Sequence, residues 1–244
     1  MLSVWPETTQ LYRGTSVAMV QVRGKRVLVL EHAQPIALAQ MLDALSSSLA
    51  EQGTLGNGRT RRLRITLSAA LCPAFVFVAP KQVTRWAERL EIARATAALA
   101  MDTAPEQLVC EIDAARPGLA SAITVQTMSA LHGWAAQHRW AITSMQPLWV
   151  NATQCRSAGQ AAVHGLMLME PDATTVLANT GTTSQMALTQ LAQRSSSDGQ
   201  AGTRRMLIGL GLTDGEVLRL VFGTKAHTVM QHGPTAWPGH WVSP

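Results

Sequence analysis

Apolar and polar residues alternate with a period of two near the start of the chain. Residues 16–23 read SVAMVQVR and residues 26–31 read RVLVLE. Val20 and Val22 share one face, as do Val27 and Val29, because successive strand side chains point to opposite sides. The Gly24-Lys25 connection suits a tight hairpin turn. The period then changes. Over residues 36–52, Leu38, Met41, Leu42, Leu45 and Leu49 follow helical spacing, with Pro35 before the helix and Gly53 as its stop.

The alternation of strands and helices continues to about residue 150. A loop, GTLGNGRT, covers residues 53–60; strands follow at 62–68 and 74–79, the second closed by Pro80. Val83, Trp86, Ala87, Leu90, Ala93, Ala97 and Met101 form one stripe of a helix over 83–101, which places Trp86 in the core. Strands at 108–113 and 119–123 precede a helix over 125–138 that buries Val125, Met128, Leu131 and Ala135. A strand over 140–150 carries Trp149 near its end, where it is a candidate partner contact.

Beyond residue 160 the texture is mostly strands and turns. Residues 162–170 and 174–179 read as a hairpin joined by Pro171-Asp172, and 184–191 is ambiguous between strand and helix. Residues 194–202 (RSSSDGQAG) read as a loop, and strands at 206–210, 217–222 and 228–231 complete a meander. The tail GPTAWPGHWVSP is irregular, with Trp237 and Trp241 as docking anchors. This divides the chain into a first lobe over 12–150, a smaller strand-rich lobe over 151–232, and a tail over 233–244.

Composition narrows the function classes. The apolar fraction of 47% supports a sizeable core, while only 14% of residues are charged, against about a quarter in an ordinary domain. A surface of Ala, Ser, Thr and Gln favours self-association or a lasting protein partner. The net charge of +5 comes almost wholly from Arg, because Lys25, Lys81 and Lys225 are the only lysines. The one dense cluster, Arg59, Arg61, Arg62 and Arg64, has no interleaved aromatics, so no nucleic-acid stacking platform is expected. Cys72, Cys110 and Cys155 have no metal-binding cadence, and a reducing, cytoplasmic setting is expected. Met1–Gln10 has neither a basic start nor an apolar run, and no apolar stretch reaches membrane-spanning length. Direct membrane insertion is therefore not expected.

No catalytic motif names a reaction. Gly14-Thr15-Ser16 could cradle a phosphate through backbone N–H groups, although such a tripeptide is also an ordinary loop. Thr180-Gly181-Thr182-Thr183 could do the same or be a plain turn. Glu111 and Asp113 lie two apart on a strand and share a face, as a divalent-metal pair or as a polar strand end. The seven histidines, His32, His132, His138, His164, His227, His232 and His240, contain no metal motif. Cys110, within LVCEID, reads as a buried apolar residue. Cys72, before Pro73, reads as an exposed turn residue and a remote candidate thiol nucleophile.

The element order, with the phrases YRGTSVAMVQVRGKRVLVLE, RRLRITLSAALCPAFVFVAP, ERLEIARATAALAM and GLASAITVQTMSALHGWAA, resembles the cytoplasmic actin-like domains of type II secretion L-proteins and of PilM from type IV pilus systems. The resemblance spans about residues 12–232. It implies an α/β, RNase H/actin-like fold with two lobes of mixed sheet and flanking helices around a cleft. It also implies a nucleotide site, with Gly14 and Thr15 in a first phosphate loop and Gly181 and Thr182 in a second. Tyr12 stands where the acid of that first loop belongs, and the second loop lacks its acid as well. An actin-like ATPase uses such acids to hold magnesium-bound water. The expectation is therefore a non-catalytic platform that binds a protein partner or a second copy of itself. The alternative is an ATP-magnesium-binding ATPase or switch, and the remote one a thiol hydrolase. The L-proteins continue into a membrane-spanning segment, which this sequence does not show.

Overall fold

A computed structural model describes residues 8–22, 25–51, 61–114, 116–154, 165–179, 185–191, 198–210, 212 and 217–222. The first described element is a strand that the hydrophobic pattern does not reveal, β1 (Thr8–Arg13). The expected hairpin follows as β2 (Val17–Val22) and β3 (Lys25–Glu31), and then α1 (Leu38–Glu51). With β4 (Arg61–Leu67) and β8 (Trp140–Pro147), these strands form a five-stranded sheet in the order β3-β2-β1-β4-β8. β1 is its centre, antiparallel to β2 and parallel to β4. It escapes a two-residue pattern because it is covered on both faces. Leu11 enters the core shared with α1 and α3 (Val125–Gln137), whereas neighbouring Tyr12 enters the core on the opposite face.

Residues between β4 and β8 add a smaller unit. β5 (Ala74–Val76), β6 (Leu108–Ile112) and β7 (Leu119–Thr124) form a three-stranded sheet in the order β5-β7-β6, packed by α2 (Trp86–Met101). α2 buries Ala93, Ala97 and Ala98, so small residues bring it close to the sheet. Its first turn is open to solvent, and Trp86 is 50% exposed rather than in the core. In α3 the buried residues are Leu131, Trp134 and Ala135, while Val125 in the first turn is exposed.

Three expectations fail in the second half. The strand ending at residue 150 stops at Pro147, and the chain turns into α4 (Leu148–Gln154). Trp149 is fully buried there, not presented to a partner. Of the loop expected at 194–202, residues 198–202 are described and open a helix, α5 (Asp198–Gly209), which also takes in residues 206–209 of the expected strand. Met206 and Leu207 are buried while Ile208 is exposed, a helical rather than an alternating pattern. β9 (Gly165–Met169) and β10 (Ala173–Asn179) form the expected hairpin, and the ambiguous segment is a strand, β11 (Gln185–Leu191). With β12 (Val217–Val221) they make a sheet in the order β11-β10-β9-β12. The strand expected at 228–231, the loop at 53–60 and the tail with Trp237 and Trp241 lie outside the described residues.

Two sheets share one apolar seam. Tyr12, Val17 and Met19 of the first pack with Leu166, Leu168, Leu177 and Leu220 of the second, and Leu148 and Trp149 of α4 join them. At roughly 1.5–3 kcal/mol for each large buried side chain, this seam dominates the attraction between the sheets. The polar contacts at its rim decide their alignment.

Candidate functional site

Three turns meet at the rim of that seam. The first is residues 14–16 between β1 and β2, shaped by Gly14 N–H donating to Val17 O at 2.7 Å. The second begins at Ser68 after β4, whose N–H donates to Arg13 O at 2.8 Å. The third is Glu170-Pro171-Asp172 between β9 and β10, closed by Glu170 N–H donating to Ala173 O at 2.7 Å.

The third turn places two carboxylates into the first two. Asp172 Oδ2 accepts from the Thr15 N–H and from the Thr15 hydroxyl, the latter at 3.0 Å. Asp172 Oδ1 accepts from the Ser68 hydroxyl at 2.6 Å. Gly14 lies so close that a Cβ there would collide with the Asp172 carboxylate, so the position requires glycine. Glu170 is held alongside, accepting from the Tyr12 hydroxyl at 2.9 Å and from the Ala69 N–H at 3.1 Å. The Tyr12 ring also packs on Phe222, with centroids 4.5 Å apart.

Burial governs the electrostatics. It pushes Glu170 up to about 8; the Ala69 N–H opposes this rise and nearby Asp172 adds to it. Glu170 therefore carries a proton at neutral pH. Burial also holds Tyr12 well above its ordinary range, with Glu170 and Asp172 contributing. Arg13 is 1% exposed. Burial lowers it to about 10, against the opposing pull of Asp172. Its Nε and Nη1 are buried without a hydrogen-bond partner among the described residues.

Of the residues expected at a nucleotide site, Gly14 and Thr15 are at this junction, while Gly181 and Thr182 lie outside the described residues. The acids opposite Gly14 and Thr15 are Glu170 and Asp172, which the sequence reading left in a plain hairpin turn. Their only sequence signal is two acids flanking Pro171 immediately after an apolar strand. Of the expected nucleotide site, only the first loop lies within the described residues. The Thr15 and Ser68 donors that a phosphate would use are engaged by Asp172. Tyr12, at the position of the expected acid, turns into the apolar seam.

The other candidates are dispersed. Glu111 is exposed, and Asp113 pairs with Arg116 at 2.9 Å. His138 Nε2 lies 2.7 Å from Ser46 Oγ, which also accepts from Trp134 Nε1 at 2.9 Å and so ties α1 to α3. Cys72 is buried in the first core rather than exposed at a turn, because its side chain faces the sheet. Burial pushes its thiol up to about 12, against a hydrogen bond with Ser121, so a reactive thiolate is disfavoured. Cys110 is buried as expected. Among the described residues, no cluster of three or more His, Cys, Asp or Glu could hold a metal ion, and no helix is long and apolar enough to cross a membrane.

No protein-family model matches the chain, and no curated protein sequence matches it. Solved structures do. A Bacteroides thetaiotaomicron VPI-5482 protein with actin-like ATPase fold and unknown function aligns with a TM-score of 0.57 at 10% identity, over 91% of this chain and 84% of that one. The cytoplasmic domain of EpsL, an inner membrane component of the type II secretion system of Vibrio cholerae, aligns with a TM-score of 0.49 at 11% identity, over 90% and 84%. A PilM-PilN type IV pilus biogenesis complex gives a TM-score of 0.45 at 12% identity, over 85% and 66%. With two mixed sheets meeting at a junction of turns, the first of these likenesses shows that the chain has an actin-like fold.

Proposed function

We propose that this protein is a non-catalytic assembly platform that binds a protein partner or a second copy of itself, in the cytoplasm, without nucleotide. One observation carries the reading: the donors at the junction are bound to the chain's own Asp172. Among the described residues, a junction filled from within leaves no free cradle for a phosphate, and a tyrosine stands where a magnesium-water acid would be needed. The low charged fraction of 14% supports it, since weakly charged surfaces favour lasting association. The sequence resemblance to the actin-like domains of secretion L-proteins and PilM points the same way.

A nucleotide switch is the second reading. The observation favouring it is that the Thr15 N–H and the Thr15 and Ser68 hydroxyls converge on one carboxylate, which is the chemistry a phosphate needs. It requires the Asp172 contact to open. Isothermal titration with ATP-magnesium, combined with light scattering across concentration and partner capture, separates the two. The platform reading expects no heat at millimolar nucleotide and a specific complex or self-association. Tight nucleotide binding, or a strict monomer that captures nothing, sinks it.

A further inference from the structure

We propose that Arg62, Arg64, Gln10 and Gln21, on the face of the first sheet turned away from α1 and α3, form a docking ledge for an extended segment of a partner protein that carries carboxylates at alternate positions. The proposal rests on the platform reading and names the chemistry of one partner surface.

Strand register assembles the ledge. Val20, Leu11 and Ile65 are neighbours across β2, β1 and β4, and enter the core under α1 and α3. Gln21, Gln10 and Arg64 are the next row, so they take the opposite face. Arg62, beside Thr8, lies two positions along β4 on that same face. Toward the junction this face is sealed by Tyr12 and Met19 in the seam. Away from it the face opens: Gln21 is buried, Gln10 and Arg64 are half-buried, and Arg62 is exposed.

Three observations select the occupant. First, neither Arg62 nor Arg64 forms an ion pair or hydrogen bond among the described residues. Residues two apart on a strand are about 6.6 Å apart, so alternate carboxylates of another extended segment have the same repeat. A guanidinium grips each by two N–H groups at once. Second, Gln21 is 8% exposed and its Oε1 has no hydrogen-bond partner among the described residues. Such an acceptor calls for a donor. A peptide brings N–H groups along with its carboxylates, whereas the phosphates of a nucleic acid or lipid bring acceptors alone. Third, the large apolar residues exposed among those described are Val78, Trp86, Leu99, Val109, Val125 and Ile208, and none is on β1, β2 or β4. The ledge thus offers nothing to enter a bilayer or to stack on bases.

The test is fluorescence anisotropy of a labelled peptide of about ten residues alternating Glu and Thr, long enough to span the ledge. It is titrated with the full chain at about 50 mM salt, where screening is weak. Arg62→Gln combined with Arg64→Gln is expected to weaken binding about tenfold. Lys81→Gln combined with Arg204→Gln removes the same charge from exposed positions elsewhere, and should change it less than about twofold. An isomeric peptide with its Glu residues contiguous should bind more weakly. No peptide binding, equal binding of the isomer, or equal losses in the two double variants overturns the proposal. So does binding of single-stranded DNA or phosphatidylserine vesicles that depends on Arg62 and Arg64 when peptide binding does not. If the melting temperature shows that the double variant is unfolded, Arg62→Gln alone carries the comparison, with a loss of about threefold expected and an unchanged affinity counting against the ledge. Self-association without peptide binding would reject the ledge and keep the platform reading. ATP-magnesium binding would end the platform reading and leave the peptide result standing.

Discussion

At the junction of the two large sheets, Tyr12, Arg13, Glu170 and Asp172 are each buried, and all four are ionisable. Beneath α2, the core cluster is Phe75, Phe77, Leu108, Cys110, Ile112 and a run of alanines. The two regions bury comparable side chains by opposite means. The α2 unit loses water from apolar groups, which is favourable wherever it happens. The junction takes ionisable groups out of water, which is costly unless each finds its partner. Such a cluster adds little net stability but penalises every misalignment. The comparison teaches that the α2 unit contributes strength while the junction contributes register, and that only the junction should respond to pH.

The largest expected effect tests the apolar side. Phe77→Ala should cost about 3–5 kcal/mol, because Phe77 is buried against α2. Urea unfolding at pH 5 and pH 9 should give the same loss. A pH-dependent loss would break the contrast between the regions.

Glu170 supplies the next effect. Its native value of about 8 lies far above the unfolded 4.5. Between these values the native state holds a proton that the unfolded chain has released. Stability from this group is thus full below pH 4.5, falls as pH rises, and is lost above about 8, a change of several kcal/mol. Glu170→Gln should flatten that fall, matching the unaltered protein at pH 5 and exceeding it at pH 9. His138, lowered by burial, acts in the opposite direction, losing stability as pH falls. Only the difference between the two proteins therefore isolates Glu170. A variant that keeps the full slope would refute the assignment.

Tyr12→Phe should be smaller. It deletes one buried hydroxyl bonded to Glu170 and keeps the ring against Phe222, a loss of about 1–2 kcal/mol. Coupling to Glu170→Gln in a double-mutant cycle sharpens the comparison, since groups in one network are not additive. At the small end, Trp86→Ala should change stability by less than about 0.5 kcal/mol, because the half-exposed ring lies outside the α2 core. A larger loss in the isolated protein would return Trp86 to the core.

Helices α1 and α3 were visible because helical spacing survives when one face meets solvent. The hairpins β2–β3 and β9–β10 were visible as apolar runs broken by turn residues, although β2 and β9 are buried on both faces. β1 was not, because it reads TTQLYR, with Leu11 and Tyr12 as its apolar pair on opposite faces. α5 was hidden by its polar first turns, DGQAGTRR, whose helical state depends on Met206 and Leu207 packing on the second sheet.

The site divides in the same way. Gly14-Thr15-Ser16 was visible as a candidate cradle because small residues in a turn expose backbone N–H groups, a local property. That Asp172 fills it was not visible, because the two lie 157 positions apart and nothing local distinguishes a solvated turn acid from a buried one. The sequence by itself determined the α/β class, the turn chemistry and the absence of an acid at Tyr12, all consequences of residue type and short spacing. Only the tertiary structure decided that Tyr12 points into the seam, that Arg13 is buried with donors to spare, and that a distant hairpin supplies the anion. Those depend on how two sheets pack, and long-range packing is set by the whole chain rather than by any one segment.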